Sequence, residues 1–383
     1  MVSRRLLLLQ VLLAISLFAN PNSTLALDDN VRNSDHCPQR EIRRYLFECY
    51  EESLESEGES KGNSGENSDP MPLQTSSPDP ELGFLPYNYR RVNRENAPLF
   101  LSLEEAIAGE PVYRYLESGF DFISFIEIAK VDGKTFYMIA PGVWMQGTGL
   151  SPIAITDFQG IEFTSSPTTP FGWALFPLES QKQPKKSELD PVAYDFFRYD
   201  LVQILDIRDV NGTDWYLVGP DQWLEGKQVA MVSPQSVPEG VSNGRWIDVN
   251  LEQQTIAVYD NHHLIFASII SSGLPGTWTQ PGLFQIYLMK ETETMSGSFT
   301  ADRSDYYYLE DVPWTMYFDE ARALHGTYWH NGFGVPRSRG CANLSPGDAQ
   351  WIFNWAQEGD WVHVWDPSGQ TPTDPTLYGS GGA

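Results

Sequence analysis

An internal repeat constrains the fold of this chain more than any other feature. Residues 131–147, "VDGKTFYMIAPGVWMQG", align without a gap on residues 210–226, "VNGTDWYLVGPDQWLEG". Each copy has an Asp-Gly or Asn-Gly pair, an aromatic strand, a proline-containing loop and a tryptophan. Asp-Gly and Asn-Gly between apolar segments are strong hairpin signals. The repeat therefore predicts two copies of a small SH3-like β module within residues 83–240.

The tryptophan of each copy, Trp144 or Trp223, allows two interpretations. Large aromatic side chains dominate protein cores, so core packing is the preferred one. The alternative is that both side chains line grooves that hold a polymer, in which case the repeat region is a binding module.

A second β-rich unit is predicted over residues 245–366. Its first part, "WIDVNLEQQTIAVYDNHHLIFASIISSG", alternates apolar and polar residues, and Asp260 with Asn261 supplies a hairpin turn. Strands do not alternate with helical patterns here, which favours a mostly antiparallel sheet. The chain as a whole is therefore expected to be mainly β.

One short helix is expected near the end of this unit. Ser345 suits the N-cap and Pro346 the first helical position, and Asp348 completes a capping box with Ser345. Apolar residues then recur at helical spacing until Gly359. Cys341 consequently lies in the loop just before the helix.

The N-terminus has the pattern of a secretory signal. Arg4 and Arg5 precede an apolar stretch over residues 6–19, and small residues follow at the positions of a cleavage site. The stretch is shorter than the roughly 20 apolar residues that a membrane span needs. We expect a signal peptide over residues 1–26, a short segment over 27–50, an extracytoplasmic location and no stable membrane span after cleavage; an uncleaved anchor is the alternative.

Two further segments lack the composition of a folded domain. Residues 51–81 are rich in serine, glycine, proline and acid, and such a stretch buries too little apolar surface to offset its ordering entropy. We predict an acidic disordered linker there and a disordered polar tail over residues 367–383. The formal net charge of -26 argues against nucleic acid as a partner, because phosphates repel an acidic surface.

The chain has three cysteines. Cys37 and Cys49 could pair in an oxidising compartment if the segment between them bends, which leaves Cys341 as an odd thiol. An odd thiol in such a compartment calls for a chemical explanation.

The surroundings of Cys341, "HGTYWHNGFGVPRSRGCANLSPGDAQW", suit a nucleophile. A thiolate needs a base or a positive charge to lower its pKa, and His325 and His330 are the candidate bases. Gly340 permits a tight turn, so that the amides of Gly340 and Cys341 could bind one oxyanion. Arg339 would add positive charge close to the sulfur. A buried structural cysteine and a metal site made of His325, His330 and Cys341 remain alternatives, although the usual zinc spacings are absent.

The same segment resembles the active-site motif of the L,D-transpeptidase (YkuD-like) catalytic domain. That motif is an early histidine, then Ser-His-Gly-Cys and an asparagine, and the resemblance extends over residues 245–366. The matching residues are His325, Ser338, Gly340, Cys341 and Asn343. Arg339 departs from the motif because it stands where the family has histidine, and we expect it to tune substrate contact or thiolate charge.

The resemblance implies a β-rich catalytic domain that acts on peptidoglycan stem peptides. Cys341 would attack the carbonyl between an L-centre diamino acid and D-Ala, and His325 would be the general base, oriented by a backbone carbonyl near Gly326. The released D-Ala would be replaced by an amine of another stem. The resemblance places these residues at the oxyanion or substrate: Gly340, Tyr308, Ser338, Arg339, Asn343, Gly326, Trp329 and His330. A packed strand aromatic is the alternative for Tyr308.

These implications favour one function and leave two alternatives open. The expected function is an exported L,D-transpeptidase whose β repeat spaces or docks the catalytic domain on the cell wall. No metal or organic cofactor is expected, because acyl transfer by a thiolate needs none. The alternatives are an L,D-carboxypeptidase with water as acceptor, and a non-catalytic wall-binding protein that uses the Trp144 and Trp223 modules.

Overall fold

The structure is a computed structural model that describes residues 71–185, 195–379 and 381. The predicted signal peptide, the segment over residues 27–50 with its two cysteines, and the linker as far as residue 70 lie outside these ranges. Within the ranges, no helix has both the length and the apolar character that crossing a membrane requires.

Short strands are the main regular elements of the described chain. The first part contains β1 (Thr75–Ser76), β2 (Asn88–Val92), β3 (Ala97–Phe100), helix α1 (Leu103–Ala108), β4 (Arg114–Leu116), β5 (Phe120–Phe125), β6 (Glu127–Val131), β7 (Lys134–Ala140), β8 (Val143–Gln146), β9 (Leu150–Pro152) and β10 (Ile161–Phe163). The middle part contains β11 (Phe171–Ala174), β12 (Leu178–Glu179), β13 (Asp195–Phe196), β14 (Leu201–Gln203), β15 (Asp206–Asp209), β16 (Asp214–Gly219), β17 (Gln222–Glu225) and β18 (Val229–Val232). The last part contains β19 (Trp246–Asn250), β20 (Thr255–Asp260), β21 (His263–Ile269), β22 (Gly282–Gln285), β23 (Leu288–Gly297), β24 (Tyr307–Asp319), β25 (Arg322–Gly326), β26 (Ala342–Leu344), helix α2 (Pro346–Trp355) and β27 (Trp361–Trp365). The prediction of a mainly β fold with a short helix after Cys341 is confirmed.

The two copies of the repeat have the same local structure. Strands β6, β7 and β8 form one antiparallel meander, and β15, β16 and β17 form the other. The pairs match one for one, since Phe136 lies opposite Gln146 and Trp215 lies opposite Glu225. A register shift interrupts both second hairpins, near Met138 in the first copy and near Leu217 in the second.

The repeated tryptophans pack in cores, as preferred from the sequence. Trp144 is 8% exposed and packs with Phe100 and Phe136, and Trp223 is 5% exposed. Arg208 stacks over the Trp223 ring at 4.8 Å. The alternative in which these rings line open grooves is therefore wrong, because their surfaces are already occupied by the modules themselves.

The C-terminal unit is a sandwich of two sheets. Sheet A has the strand order β1-β10-β21-β20-β19-β27-β22, and sheet B has the order β26-β25-β24-β5-β2-β9 with β23 added on β24. Helix α2 packs against β24, β25 and β26. The apolar core between the sheets includes Val249, Val258, Leu324, Leu344 and Val364. Alternation along each strand sends the neighbouring residues to the opposite faces of the sheets.

Strands that precede residue 240 also join the two sheets of the C-terminal unit. Strand β10 pairs with β21 at one edge of sheet A, and β5 pairs in parallel with β24 in sheet B. Edge strands present unpaired backbone groups, and these added strands satisfy them. Pairing between distant segments leaves no trace in local periodicity, so the sequence did not reveal it.

Two segments that were predicted to be disordered are in part ordered. Thr75–Ser76 at the end of the expected linker forms β1 and pairs with β10. In the expected tail, Asp366 accepts hydrogen bonds from the backbone of Ser368 and Thr371, and a 3-10 helix forms over Pro375–Leu377. Hydrogen bonds to the folded unit offset the ordering cost that composition alone suggested.

The start of α2 differs from a full capping box. The Ser345 side chain accepts a hydrogen bond from the Asp348 amide, as predicted. The Asp348 carboxylate instead accepts from the Gly160 amide at 2.7 Å and from the Ser268 hydroxyl at 2.5 Å. The buried carboxylate therefore ties the helix to the first part of the chain and to sheet A.

Candidate active site

Strand pairing places Cys341 and His325 on the same face of sheet B. Strands β25 and β26 are parallel, with Leu324 opposite Ala342 and His325 opposite Asn343. Leu324 and Ala342 point into the core, so the alternate residues His325, Cys341 and Asn343 point to the other face. Both Cys341 and His325 are 0% exposed. The candidate nucleophile and base thus share a buried surface on neighbouring strands.

The imidazole of His325 is arranged to accept a proton. Its Nδ1 lies 3.2 Å from the carbonyl oxygen of Gly326, so Nδ1–H donates to that oxygen and Nε2 is the unprotonated nitrogen. Nε2 is buried and has no hydrogen-bond partner in the part of the chain that the structure describes. Burial lowers the pKa of His325 to about 4, so the ring is neutral at physiological pH. The Trp329 ring lies 5.7 Å from the imidazole and covers it.

The thiol of Cys341 is also neutral in the resting protein. Its Sγ accepts a hydrogen bond from the Ala323 amide at 3.3 Å and lies 3.7 Å from the carbonyl oxygen of Ala321. Burial raises the pKa of Cys341 to about 12, against the lowering effects of the Ala323 amide and the Arg322 charge. The site therefore holds a thiol and an imidazole, not a preformed thiolate–imidazolium pair.

The turn before Cys341 depends on Ser338 and Gly340. Gly340 has φ 129°, a conformation that favours glycine. The Ser338 hydroxyl accepts from the Gly340 amide at 3.1 Å and donates to the Cys341 carbonyl at 2.5 Å. The Gly340 amide was predicted to bind an oxyanion, and this is wrong for the resting site because the Ser338 hydroxyl already occupies that amide.

Arg339 does not supply the charge at the sulfur. Its guanidinium lies over the aromatic rings of Phe299, at 5.7 Å, and Tyr307, at 5.1 Å. The positive charge that lowers the pKa of Cys341 belongs to Arg322 instead. Sequence reasoning missed Arg322 because its approach to Cys341 depends on the parallel pairing of β25 with β26.

His330 is fixed by the backbone and by Asn343. Its Nδ1 accepts from the Gly332 amide at 3.2 Å, and its Nε2 lies 3.1 Å from the Asn343 side-chain amide. Because Nδ1 is an acceptor, the neutral ring carries its proton on Nε2, and the amide orientation with Oδ1 toward Nε2 satisfies both groups. Burial lowers the pKa of His330 to about 3, with smaller effects from Arg337 and His325. His330 thus positions the pocket loop, which leaves His325, on the face that it shares with Cys341, as the candidate proton acceptor.

Residues just before the second repeat hold this loop from outside. The Tyr199 hydroxyl donates to the carbonyl of Asn331 at 2.8 Å and accepts from the Phe333 amide at 3.1 Å. Arg198 donates to the same Asn331 carbonyl at 2.9 Å. The segment that carries His330 is therefore anchored by the repeat region as well as by sheet B.

Comparison with known proteins identifies the domain that contains these residues. The family model for the L,D-transpeptidase catalytic domain, YkuD, matches residues 244–364. This region is an L,D-transpeptidase catalytic domain. No curated protein matches the chain.

Several solved structures are similar to this chain. An L,D-transpeptidase from Stackebrandtia nassauensis has 26% identity and a TM-score of 0.27, and the match covers 37% of this chain and 61% of that one. The catalytic domain of an L,D-transpeptidase from E. faecium has 26% identity and a TM-score of 0.29, with 33% and 100% covered. Mycobacterium tuberculosis L,D-transpeptidase 1 has 23% identity and a TM-score of 0.27, with 32% and 61% covered. The chain thus spans 61% of the length of the first and the third of these proteins.

A second tyrosine of the L,D-transpeptidase domain, Tyr317, lies close enough to Cys341 for the charge of the thiolate to raise its pKa. The Tyr308 hydroxyl donates to Glu310 at 3.2 Å, and its backbone lies opposite Asp121 of β5. Tyr317 lies opposite Ala323 in β25, and burial, Glu293 and Cys341 all raise its pKa. The Tyr308 hydroxyl is thus engaged by Glu310, and the start of strand β24 also reaches the site segment, because Arg339 lies 5.1 Å from the ring of the neighbouring Tyr307. The sequence did contain a signal for Tyr317. Ala323 is two residues before His325 and therefore on the same face of β25, and Tyr317 pairs with Ala323 across the β24–β25 hairpin.

The metal interpretation of this L,D-transpeptidase site has no set of ligands. In the ranges described, no three histidine, cysteine or carboxylate side chains lie together as metal ligands. Both nitrogens of His330 are engaged by Gly332 and Asn343, so that ring is not turned toward Cys341. The arrangement is suited to nucleophilic acyl transfer by a thiol with an adjacent imidazole.

Proposed function

We propose that the chain is an exported peptidoglycan L,D-transpeptidase that works through an acyl-enzyme on Cys341. The observation that carries the proposal is the pairing of β25 with β26. It sets Cys341 and His325 on one buried face with His325 Nε2 unpartnered, inside the region that matches the family. Export rests on the pattern of the N-terminal sequence.

The first half-reaction forms a thioester. His325 Nε2 takes the thiol proton while Cys341 Sγ attacks the carbonyl between the diamino acid and D-Ala of a stem tetrapeptide. The tetrahedral intermediate collapses, the carbon–nitrogen bond breaks, and the imidazolium returns the proton to the departing amine of D-Ala. Because both groups are neutral at rest, proton transfer accompanies attack and does not precede it.

The second half-reaction regenerates the thiol. An amine of another stem attacks the thioester carbonyl while His325 accepts its proton, and the new amide forms as the Cys341 thiolate leaves and is protonated. Tyr317, whose pKa the charge of Cys341 raises, is the hydroxyl that we assign as donor to the developing oxyanion in this mechanism. Water as the acceptor would give a carboxypeptidase with the same residues.

The repeat region supports the domain in this proposal. It extends both catalytic sheets, and Tyr199 and Arg198 hold the loop that carries His330. We propose that it orients the catalytic domain on the wall, although its tryptophans pack internally and do not form a polymer groove.

Mass spectrometry of purified tetrapeptide muropeptides tests the function. The chain is incubated with the muropeptides alongside Cys341→Ala, with Arg303→Lys as a matched control because Arg303 is exposed and pairs with Glu117 away from Cys341. We expect cross-linked dimer and released D-Ala with the wild type and the control, and neither product with Cys341→Ala. Tripeptide without dimer would make the chain a carboxypeptidase, and no product together with no adduct on Cys341 would refute the acyl-enzyme.

A further inference from the structure

Arg322 is a buried cation directly behind the nucleophile. It begins β25, three residues before His325, and is 3% exposed. A Cβ placed on Gly340 would lie 3.3 Å from Arg322 Nε, and the charge of Arg322 lowers the pKa of Cys341. The guanidinium therefore packs against the turn that presents the sulfur.

The edge of this guanidinium formed by Nε and Nη2 has only one hydrogen-bond acceptor among the described residues. Its Nη1 donates to the Asp319 carboxylate at 2.7 Å. On the other edge, Nη2 donates to the carbonyl oxygen of Gly379 at 2.7 Å, and Nε is buried with no partner among residues 71–185, 195–379 and 381. A buried donor without a partner is costly, and here the Gly379 carbonyl accepts from Nη2 and leaves Nε without a partner among the described residues.

The same molecule shows what this edge ordinarily binds. Arg245 donates from Nε and Nη2 to the two oxygens of Asp360, at 3.2 and 2.9 Å, while its Nη1 binds Asp260 at 2.9 Å. Arg303 donates hydrogen bonds from the same two nitrogens to the two carboxylate oxygens of Glu117, at 2.5 and 2.8 Å. Arg245 thus carries two carboxylates at once, which is the arrangement that Arg322 would have with Asp319 and one further carboxylate.

The C-terminal segment covers the open edge. The Tyr378 ring lies 5.2 Å from the Arg322 guanidinium carbon, and the Tyr378 hydroxyl donates to the Pro372 carbonyl at 2.5 Å. A Cβ placed on Gly381 would lie 3.1 Å from Arg322 Nε. The segment contributes only a backbone oxygen to this edge, so a carboxylate would bind the two nitrogens more strongly than the segment does.

We propose that Arg322 binds the terminal carboxylate of the donor stem peptide, which takes the place of the Gly379 carbonyl. This inference rests on the proposed function. In a tetrapeptide donor the terminal carboxylate belongs to the D-Ala that leaves, one residue beyond the carbonyl that Cys341 attacks. Arg322 Nε lies 3.3 Å from the position of a Cβ on Gly340, the residue before Cys341, so the carboxylate would pass the Gly340 turn to meet this guanidinium at the end of β25. Arg322 is then the residue that selects donors with a free C-terminus.

Paired donors test the carboxylate directly. A tetrapeptide with a free C-terminal D-Ala and the same peptide ending in D-alaninamide are compared by the kcat/KM for amine release, in wild type, Arg322→Lys and the control Arg303→Lys. Arg322→Lys keeps the charge but loses the two-nitrogen edge. We expect the wild type and the control to prefer the acid about 10- to 100-fold, as for other charge-assisted hydrogen bonds, and Arg322→Lys to prefer it less than about threefold.

The acid-to-amide ratio is measured within each variant, so a loss of folded protein cancels. A wild type that uses both donors equally, or an Arg322→Lys that keeps the full preference, would overturn the assignment while leaving the proposed function intact. No turnover of either donor by the wild type would refute the proposed function, and the assignment with it.

A second variant tests competition by the C-terminal segment. Tyr378→Ala removes the ring beneath the guanidinium and the hydroxyl that bonds Pro372. We expect the KM for the acid donor to fall at least about threefold while the KM for the amide changes little, because only the carboxylate exchanges with the Gly379 carbonyl. An equal change for both donors would contradict the exchange at this edge.

Discussion

The buried thiol of Cys341 should react with small electrophiles much more slowly than an ordinary cysteine. Burial raises its pKa from 9.0 to about 12. Only the thiolate is the nucleophile, so near neutral pH the reactive fraction falls by ~1000-fold for three pKa units. The neutral His325, whose pKa is lowered to about 4, provides no imidazolium to offset this.

The measurement is alkylation of the peptide that contains Cys341. The folded protein is treated with iodoacetamide between pH 6 and pH 11, and labelling of that peptide is followed by mass spectrometry, with the same protein in guanidinium chloride as the reference. We expect the folded rate to rise with pH throughout the range without a plateau, and to lie ~1000-fold below the unfolded rate near pH 7. The full exclusion of Cys341 from solvent acts in the same direction.

An inflection below pH 8 would refute this reasoning. It would mean that the resting site holds a thiolate paired with an imidazolium, and that His325 is protonated by Cys341 before substrate arrives. The variant His325→Gln separates the cases further. It leaves the alkylation profile unchanged for a neutral pair and removes the inflection for an ion pair.

Three other substitutions give measurable outcomes. Gly340→Ala should lower the free energy of unfolding by ~1–3 kcal/mol in urea titrations, because Gly340 has φ 129° and the new Cβ would lie 3.3 Å from Arg322 Nε. The control is Gly359→Ala, since Gly359 has φ 96° but no atom near the position of its Cβ. Equal losses of stability in the two variants would exclude a contribution from the Arg322 contact. Tyr317→Phe should lower kcat by about 10- to 100-fold with little change in Cys341 alkylation, and a normal kcat would remove Tyr317 from the oxyanion. For Asp348 burial raises the pKa to about 6, so the folded state binds the proton more tightly. Protonated Asp348 therefore contributes ~3 kcal/mol to the free energy of unfolding below about pH 4, and this contribution is lost as the pH rises through 6. Urea titrations from pH 3 to pH 8 should show this loss in the wild type and not in Asp348→Asn.

Local sequence signals were sufficient for the repeated modules and the helix. The Asp-Gly and Asn-Gly pairs specify the hairpins, because Asp132 and Asn211 adopt φ of 48° and 57° and the glycines that follow adopt 75° and 76°. Ser345 and Pro346 mark the beginning of α2 because capping involves residues only a few positions apart. Signals of this range are readable in one sequence because the interacting groups are neighbours along the chain.

The candidate site was predictable in part. The order of His325, Ser338, Gly340 and Cys341 led to the right segment, and the structure adds the pairing that sets His325 and Cys341 on one face. Tyr317 was missed, since its position relative to Cys341 depends on the pairing of β24 with β25 and of β25 with β26.

From the amino-acid sequence one could predict the β-rich class, the duplication and the segment that contains the candidate nucleophile and base. The folded structure was needed to show that strands flanking the first repeat extend sheets A and B, that the thiol and imidazole are buried and neutral, and that Arg322 lies behind Cys341 beneath the C-terminal segment. The physical reason is the range of the interactions. Turns and caps depend on neighbouring residues, whereas strand pairing, desolvation and the approach of a guanidinium to a thiol depend on residues that only the folded chain brings together.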